Sequence, residues 1–218
     1  MIIKINQNEL NKSINIVQKA VSARTALPIL SGILIEASDN KLILTATDLE
    51  LGIKTFSDCE VIEEGSIVVH ARLLGEFIRK LPSNSIVNIE TKQNNNIEIR
   101  CMNSEFNILG NSSNEYPENT FINDGKTFEI KSETLKNLIK YTCFSAAQEN
   151  IKPIFTGCLI EIKNKICTFV ALDGFRMAIK KEKIDYDGEL TAVVPSKTLV
   201  EILRIIEEES CNTTVTLS

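Results

Sequence analysis

One nine-residue stretch occurs in two related forms in this chain. It reads Pro-Ile-Leu-Ser-Gly-Ile-Leu-Ile-Glu at residues 28–36 and returns 125 residues later as Pro-Ile-Phe-Thr-Gly-Cys-Leu-Ile-Glu at residues 153–161. The same offset pairs residues 1–82 with 126–207 and gives 17 identities in those 82 pairs, without a gap. Ordinary residue usage would give only about 6% identity by chance. A constant offset over this length indicates internal duplication, so the sequence predicts two copies of one domain.

The two copies share one order of predicted elements. A short strand, at residues 2–5 and 128–130, precedes an amphipathic helix for which Asn8 and Ser132 are the predicted N-caps. In the first copy the later elements are strands at 32–37, 41–45, 49–55 and 67–70, a helix at 73–81, and strands at 86–91, 97–101 and 105–109. Each copy therefore belongs to the α+β class.

Domain limits follow from the repeat and from turn-forming residues. We assign residues 1–122 to the first domain and 126–218 to the second, with the turn-rich segment 111–126 as the linker. Residues 213–218 match 85–90 once a three-residue insertion is allowed, and the last two strands of the first copy have no counterpart. We therefore expect the chain to stop inside its second domain.

Composition excludes several classes of protein. Of the 218 residues 43% are hydrophobic, no apolar run approaches the ~20 residues of a membrane helix, and no secretory signal opens the chain. Six scattered cysteines are most simply reduced thiols of a cytoplasmic protein. His70 is the only histidine, and phosphate-loop, dinucleotide and nucleophile-elbow motifs are missing. We expect no metal, no cofactor and no catalytic site.

Basic residues recur on the polar face of each predicted helix. Their spacings of four and seven keep each set on one side of its helix, and the repeat superimposes Arg72 on Lys197 and Arg79 on Arg204. An ordinary solvated face is the alternative for any one helix, but four helices in register favour a shared basic surface. Such a surface contacts phosphates without reading bases, despite the net charge of −5. The candidates on helices are Lys12, Arg72, Arg79, Lys136, Lys140, Lys197 and Arg204.

Several motifs in the expected order resemble one known family. The first copy contains RTALPILSG at residues 24–32 and TATDLE at 45–50, and the second contains FSAAQ at 144–148, DGFRMA at 173–178 and VPSK at 194–197. These motifs resemble the N-terminal and middle domains of the bacterial beta sliding clamp, the processivity subunit of DNA polymerase III. The resemblance covers essentially the whole chain.

The resemblance implies a non-catalytic DNA clamp. Family members have three repeated domains, each with two helices packed against antiparallel sheets, and two chains join head to tail into a ring around duplex DNA. By this resemblance Arg24 joins the helical basic residues on the DNA-facing side. The third domain is absent from this chain, so we expect that the chain alone does not close a ring.

The resemblance also implies a groove for short linear peptides from the polymerase and the clamp loader. Carried onto this chain, the groove is lined by Phe155, Leu172, Gly174, Phe175, Arg176 and Met177. Aromatic and thioether surfaces suit buried peptide side chains, and Arg176 is expected to anchor polar peptide groups. The alternative is that Phe155 and Met177 are ordinary core residues. Leu172 and Phe175 stand where many family members carry threonine and histidine.

A hypothesis of another class stays open on the residues alone. Two α+β repeats with a site between them could form a small-ligand-binding protein or an enzyme. That reading requires catalytic residues shared by both copies, and the sequence offers none.

Overall fold

A computed structural model describes residues 1–21, 27–117, 128–148, 152–208 and 214–217. The chain forms two compact units, Met1–Phe121 and Ile122–Ser218. Residues 118–126 of the expected linker lie outside the described residues. No helix in the described ranges is long and apolar enough to span a membrane.

The first unit has two antiparallel sheets and two helices. Its strands are β1 Ile2–Asn6, β2 Gly32–Ser38, β3 Lys41–Thr47, β4 Gly52–Asp58, β5 Glu60–Glu63, β6 Gly65–His70, β7 Ile86–Thr91, β8 Asn96–Cys101 and β9 Ser104–Leu109. Its helices are α1 Gln7–Val17 and α2 Ala71–Lys80. One sheet has the order β5-β1-β7-β8-β9 and the other β4-β3-β2-β6.

The core of this unit lies where the helices meet the sheets. Alternate residues of β1 point inward, so Ile3 is fully buried while Lys4 remains accessible. Leu10 and Ile14 of α1 are buried one turn apart, and the α2 pair of Leu74 and Ile78 repeats the arrangement. The 3.6-residue period thus gives each helix one apolar face and leaves its opposite face to charged residues.

The second unit repeats this plan. Its strands are β10 Phe128–Lys131, β11 Gly157–Lys163, β12 Ile166–Leu172, β13 Met177–Lys183, β14 Leu190–Pro195 and β15 Thr214–Leu217, and its helices are α3 Ser132–Lys140 and α4 Ser196–Glu208. One antiparallel sheet has the order β13-β12-β11-β14, and β10 pairs with β15 in the other. Leu135, Ile139, Phe169 and Leu199 belong to its buried core.

The expected α+β class, with two helices packed against antiparallel sheets, is confirmed. The predicted N-caps are wrong. Asn6 caps α1, since its side-chain oxygen accepts from the Asn8 amide at 2.9 Å, and α3 already begins at Ser132, after Lys131. A capping residue must adopt an extended backbone just before the first turn, and that boundary depends on where the preceding strand ends.

The strand predicted at 49–55 begins later, as β4 at Gly52. A tight turn occupies the intervening residues, because the Asp48 carboxylate accepts from the Glu50 and Leu51 amides at 3.1 and 2.7 Å. Strand β5 had no counterpart in the sequence prediction.

Candidate partner-binding groove and basic helix faces

A tight turn between β12 and β13 forms the centre of the candidate groove. Leu172 and Met177 face each other across the two strands, and the Asp173 amide donates to the Arg176 carbonyl at 3.3 Å. One carboxylate oxygen of Asp173 accepts from the Phe175 and Arg176 amides, both at 3.0 Å. Gly174 has φ +95°, which glycine adopts at little cost. The sequence therefore dictates this turn locally.

The amide hydrogen bonds also set the charge of the turn. They stabilise the ionised carboxylate and so lower the pKa of Asp173, with a further contribution from the Arg176 side chain. The Asp173 carboxylate is therefore ionised at neutral pH and accepts hydrogen bonds with both oxygens.

Arg176 links this turn to a second segment. Its Nε donates to the second Asp173 oxygen at 2.9 Å, and its Nη2 donates to the Phe144 carbonyl at 3.0 Å. Phe144 belongs to a short 3₁₀ turn, Cys143–Ser145, that follows α3. The guanidinium thus joins residues 32 positions apart in the chain.

A third segment carries Phe155. It lies in the 3₁₀ turn Pro153–Thr156, and its carbonyl accepts from the Ala147 amide at 2.9 Å. The Lys152 ammonium lies 5.4 Å from the centre of the Phe155 ring. Residues 144–147 are therefore tied to Arg176 at one end and to Phe155 at the other.

These segments expose apolar side chains together. Phe175 is fully exposed and Met177 is 61% exposed, so Met177 is not a core residue, whereas Phe155 and Leu172 are half-buried. Phe144 is 61% exposed. The structure thus brings the six predicted groove residues into connected segments. Exposed apolar side chains on such linked segments make this turn a candidate binding site.

Sequence reasoning missed two contributors, Asp173 and Phe144. The Asp-Gly pair indicated a turn, and Phe144 lay inside a quoted motif, so local signals for both were present. Their link through Arg176 had no local signal.

The first unit contains the same kind of turn with different residues around it. Asp48 again closes it, but Leu49 takes the place of Gly174 at φ +75° and Leu51 takes the place of Arg176. Leu30, the counterpart of Phe155, is buried in a cluster with Val68 and Tyr116.

The predicted basic residues lie on the helices as expected, with differences in exposure. Lys12, Arg72, Arg79, Lys140, Lys197 and Arg204 are exposed, and Lys136 is half-buried. Arg24 lies outside the described residues.

Two of these cations are paired within their own helices. Arg72 donates to Glu76 at 2.8 Å, which raises the pKa of Arg72 and lowers that of Glu76, and Arg204 forms an ion pair with Glu201. Phosphates would compete with these glutamates for the guanidinium groups.

The described cysteines, Cys59, Cys101, Cys143, Cys158 and Cys167, are free thiols. Burial raises the pKa of Cys167 to about 12, so it stays protonated at neutral pH. Within the described ranges no three histidine, cysteine or acidic side chains are grouped to hold a metal ion.

The two units, each with paired helices on antiparallel sheets, match the fold of solved DNA sliding clamps. Comparison of the sequence with family models matches residues 1–120 to the N-terminal domain of the DNA polymerase III beta subunit and residues 129–218 to its central domain. The chain belongs to the DNA polymerase III beta subunit family.

Individual relatives agree with this assignment. The Beta sliding clamp of Bacillus subtilis is 35% identical over 214 residues, which cover 94% of this chain and 56% of that protein. The crystal structure of the DNA polymerase sliding clamp from Bacillus subtilis matches 99% of this chain and 59% of its own with a TM-score of 0.94 and 32% identity. A Pseudomonas aeruginosa sliding clamp bound to griselimycin gives a TM-score of 0.91 at 27% identity, covering 99% of this chain and 58% of its own. The chain spans little more than half the length of these relatives.

Proposed function

We propose that this chain forms the first two domains of a DNA sliding clamp subunit. The subunit confers processivity on a replicative DNA polymerase by encircling duplex DNA and tethering partner proteins. Residues 1–122 serve as the N-terminal domain and 126–218 as the part of the middle domain present here. The chain acts in the cytoplasm without catalysis or cofactor, and a head-to-tail pair of full-length subunits closes the ring.

One observation carries this proposal. Both units match beta-subunit domains in the order that the family has, over nearly the whole chain. The exposed apolar residues Phe175 and Met177 in the second unit and the exposed cations on helices of both units support the two binding surfaces of this proposal.

The DNA surface is tested by binding to fluorescent duplexes at increasing salt. We expect weak binding, equal for duplexes of equal length and different sequence, and a steep loss of affinity with salt, because phosphate contacts release counterions. The proposed contacts are Lys12, Arg24, Arg72, Arg79, Lys136, Lys140, Lys197 and Arg204. A sequence preference that persists across salt concentrations would contradict this assignment.

The groove is tested with a fluorescent peptide from the C-terminal region of a bacterial replicative polymerase and with a scrambled control. Met177→Ala should weaken peptide binding by about 5- to 100-fold, the range for residues that anchor an interface. Leu109→Ala, at an exposed residue of the first unit, is the matched control and should bind normally. Equal binding of both peptides by the unaltered chain would refute the groove.

A further inference from the structure

The Arg176 side chain is already engaged inside the protein. Its Nε contacts Asp173 at 2.9 Å and its Nη2 contacts the Phe144 carbonyl at 3.0 Å. A guanidinium held by two hydrogen bonds on separate segments is oriented by them, and a ligand that took those donors would break both bonds. The geometry therefore indicates that Arg176 connects two segments of the candidate groove.

Asp173 accepts the hydrogen bond that orients the Arg176 guanidinium. One of its oxygens is occupied by the Phe175 and Arg176 amides, and its other oxygen receives the Arg176 Nε. The first oxygen builds the turn and the second orients the guanidinium. Only the second function is lost in an asparagine, because its single amide oxygen can still accept from the backbone amides, whereas its NH2 group cannot accept from the guanidinium.

The repeat supports this separation of roles. In the first unit Asp48 builds the same turn through the Glu50 and Leu51 amides, but the position of Arg176 is held by Leu51 and that of Phe144 by Lys19. The turn is therefore common to both copies, whereas the Arg176 guanidinium that contacts Phe144 has no counterpart at Leu51.

We propose that Asp173 is a positioning residue of the groove, which orients Arg176 so that Arg176 holds the Phe144–Ala147 segment in place. The exposed Phe144 ring then forms a further wall of the groove. Since Ala147 also donates to the Phe155 carbonyl at 2.9 Å, the same segment supports Phe155. Specificity for the apolar side chains of a bound peptide thus depends on a carboxylate that does not itself contact the peptide. This inference rests on the proposed peptide-binding function.

The test compares Asp173→Asn with Asp48→Asn. Asparagine can keep the backbone hydrogen bonds of either turn, but at position 173 it removes the charge that orients Arg176. In the peptide-free protein, NMR should show changed amide shifts and faster hydrogen exchange at residues 144–147 in Asp173→Asn, and neither change in Asp48→Asn. Unchanged signals at 144–147 would overturn the inference, whether or not any peptide binds.

The second measurement is affinity for the polymerase peptide. We expect Asp173→Asn to weaken binding by about tenfold, Arg176→Ala to do the same, and the double variant to lose no more, because the two residues act as one unit. If Arg176 instead contacts the peptide directly, Asp173→Asn releases it and affinity stays equal or rises while Arg176→Ala loses binding. That result would also overturn the inference. A wild-type chain that fails to bind the peptide refutes the proposed function alone, and the NMR comparison then still decides the positioning role.

Discussion

At the scale of single residues, the two aspartate turns share their hydrogen bonds but differ in the residues around them. Asp48 and Asp173 each accept two backbone amides and close a four-residue turn. The copies differ at the next residue, where Leu49 and Gly174 both have positive φ. Left-handed backbone costs a leucine about 1–2 kcal/mol and glycine almost nothing.

Replacing Leu49 by glycine should therefore stabilise the first unit. Leu49 is 62% exposed, so little burial is lost, and relief of strain exceeds the extra chain entropy of glycine by roughly 0.5–1 kcal/mol. The reverse change, Gly174→Ala, should destabilise the second unit by about 1 kcal/mol although the added Cβ meets no atom within 4 Å. Amide hydrogen exchange, followed for the residues of each unit, measures both changes in stability. A destabilised Leu49→Gly protein would show that the leucine side chain makes a favourable contact.

The pKa of Asp173 provides a second residue-level prediction. Its folded pKa lies below the ordinary value of 3.8, so its contribution to stability is complete above pH 3.8. That contribution is lost as the pH falls through the lower folded pKa. Carbon-detected NMR of the carboxyl should place the midpoint below 3.8, and Arg176→Ala should raise it partway, since the two amide hydrogen bonds remain. A midpoint that Arg176→Ala leaves unchanged would contradict the contribution of the guanidinium.

At the scale of elements, the two copies use the same close contact between strands. Gly32 begins β2 and Gly157 begins β11, each opposite the last residues of a neighbouring strand. An added Cβ would lie 2.5 Å from Val68 Cγ1 in the first unit and 2.5 Å from Val193 Cγ1 in the second. The close packing of the neighbouring strand therefore explains why both positions are glycine.

The cost of replacing these glycines should differ between the units. Val68 is fully buried, whereas Val193 is 47% exposed and can turn towards solvent. We expect Gly32→Ala to destabilise by about 2–3 kcal/mol and Gly157→Ala by about 1 kcal/mol. Urea unfolding followed by hydrogen exchange of each unit gives both values. Equal costs would show that the backbone near both glycines, and not the valine side chain, limits the space.

At the scale of the whole molecule, charge is distributed unevenly. The chain has a net charge of −5, yet its helices carry exposed cations at matching positions of the repeat. Glutamates such as Glu76 and Glu201 reduce that local positive charge by pairing with Arg72 and Arg204. Nonspecific DNA affinity should therefore depend more on where each acidic residue lies than on the net charge of the chain.

Glu76→Gln tests this point, because it releases Arg72 and removes a negative charge from α2. Duplex affinity should rise about two- to tenfold at low salt, and the gain should shrink as salt screens the phosphates. Glu60→Gln is the control: it makes the same charge change in β5, where Glu60 pairs with Lys4 at 3.0 Å. Equal gains in the two variants, by fluorescence anisotropy, would assign the effect to net charge alone.

We could predict the duplication, the α+β class, most elements and the family resemblance from the sequence alone. These depend on periodic burial and on an offset of 125, and both can be read along the chain. The Asp173 turn could also be predicted, since its hydrogen bonds span only three residues. The helix caps and the late start of β4 could not, because the ends of elements depend on what they pack against. The contacts of Arg176 could not be predicted in this way, because they form only in the folded protein. The bond from Arg176 to the Phe144 carbonyl joins residues 32 positions apart, and that distance closes only when α3, β12 and β13 have packed together.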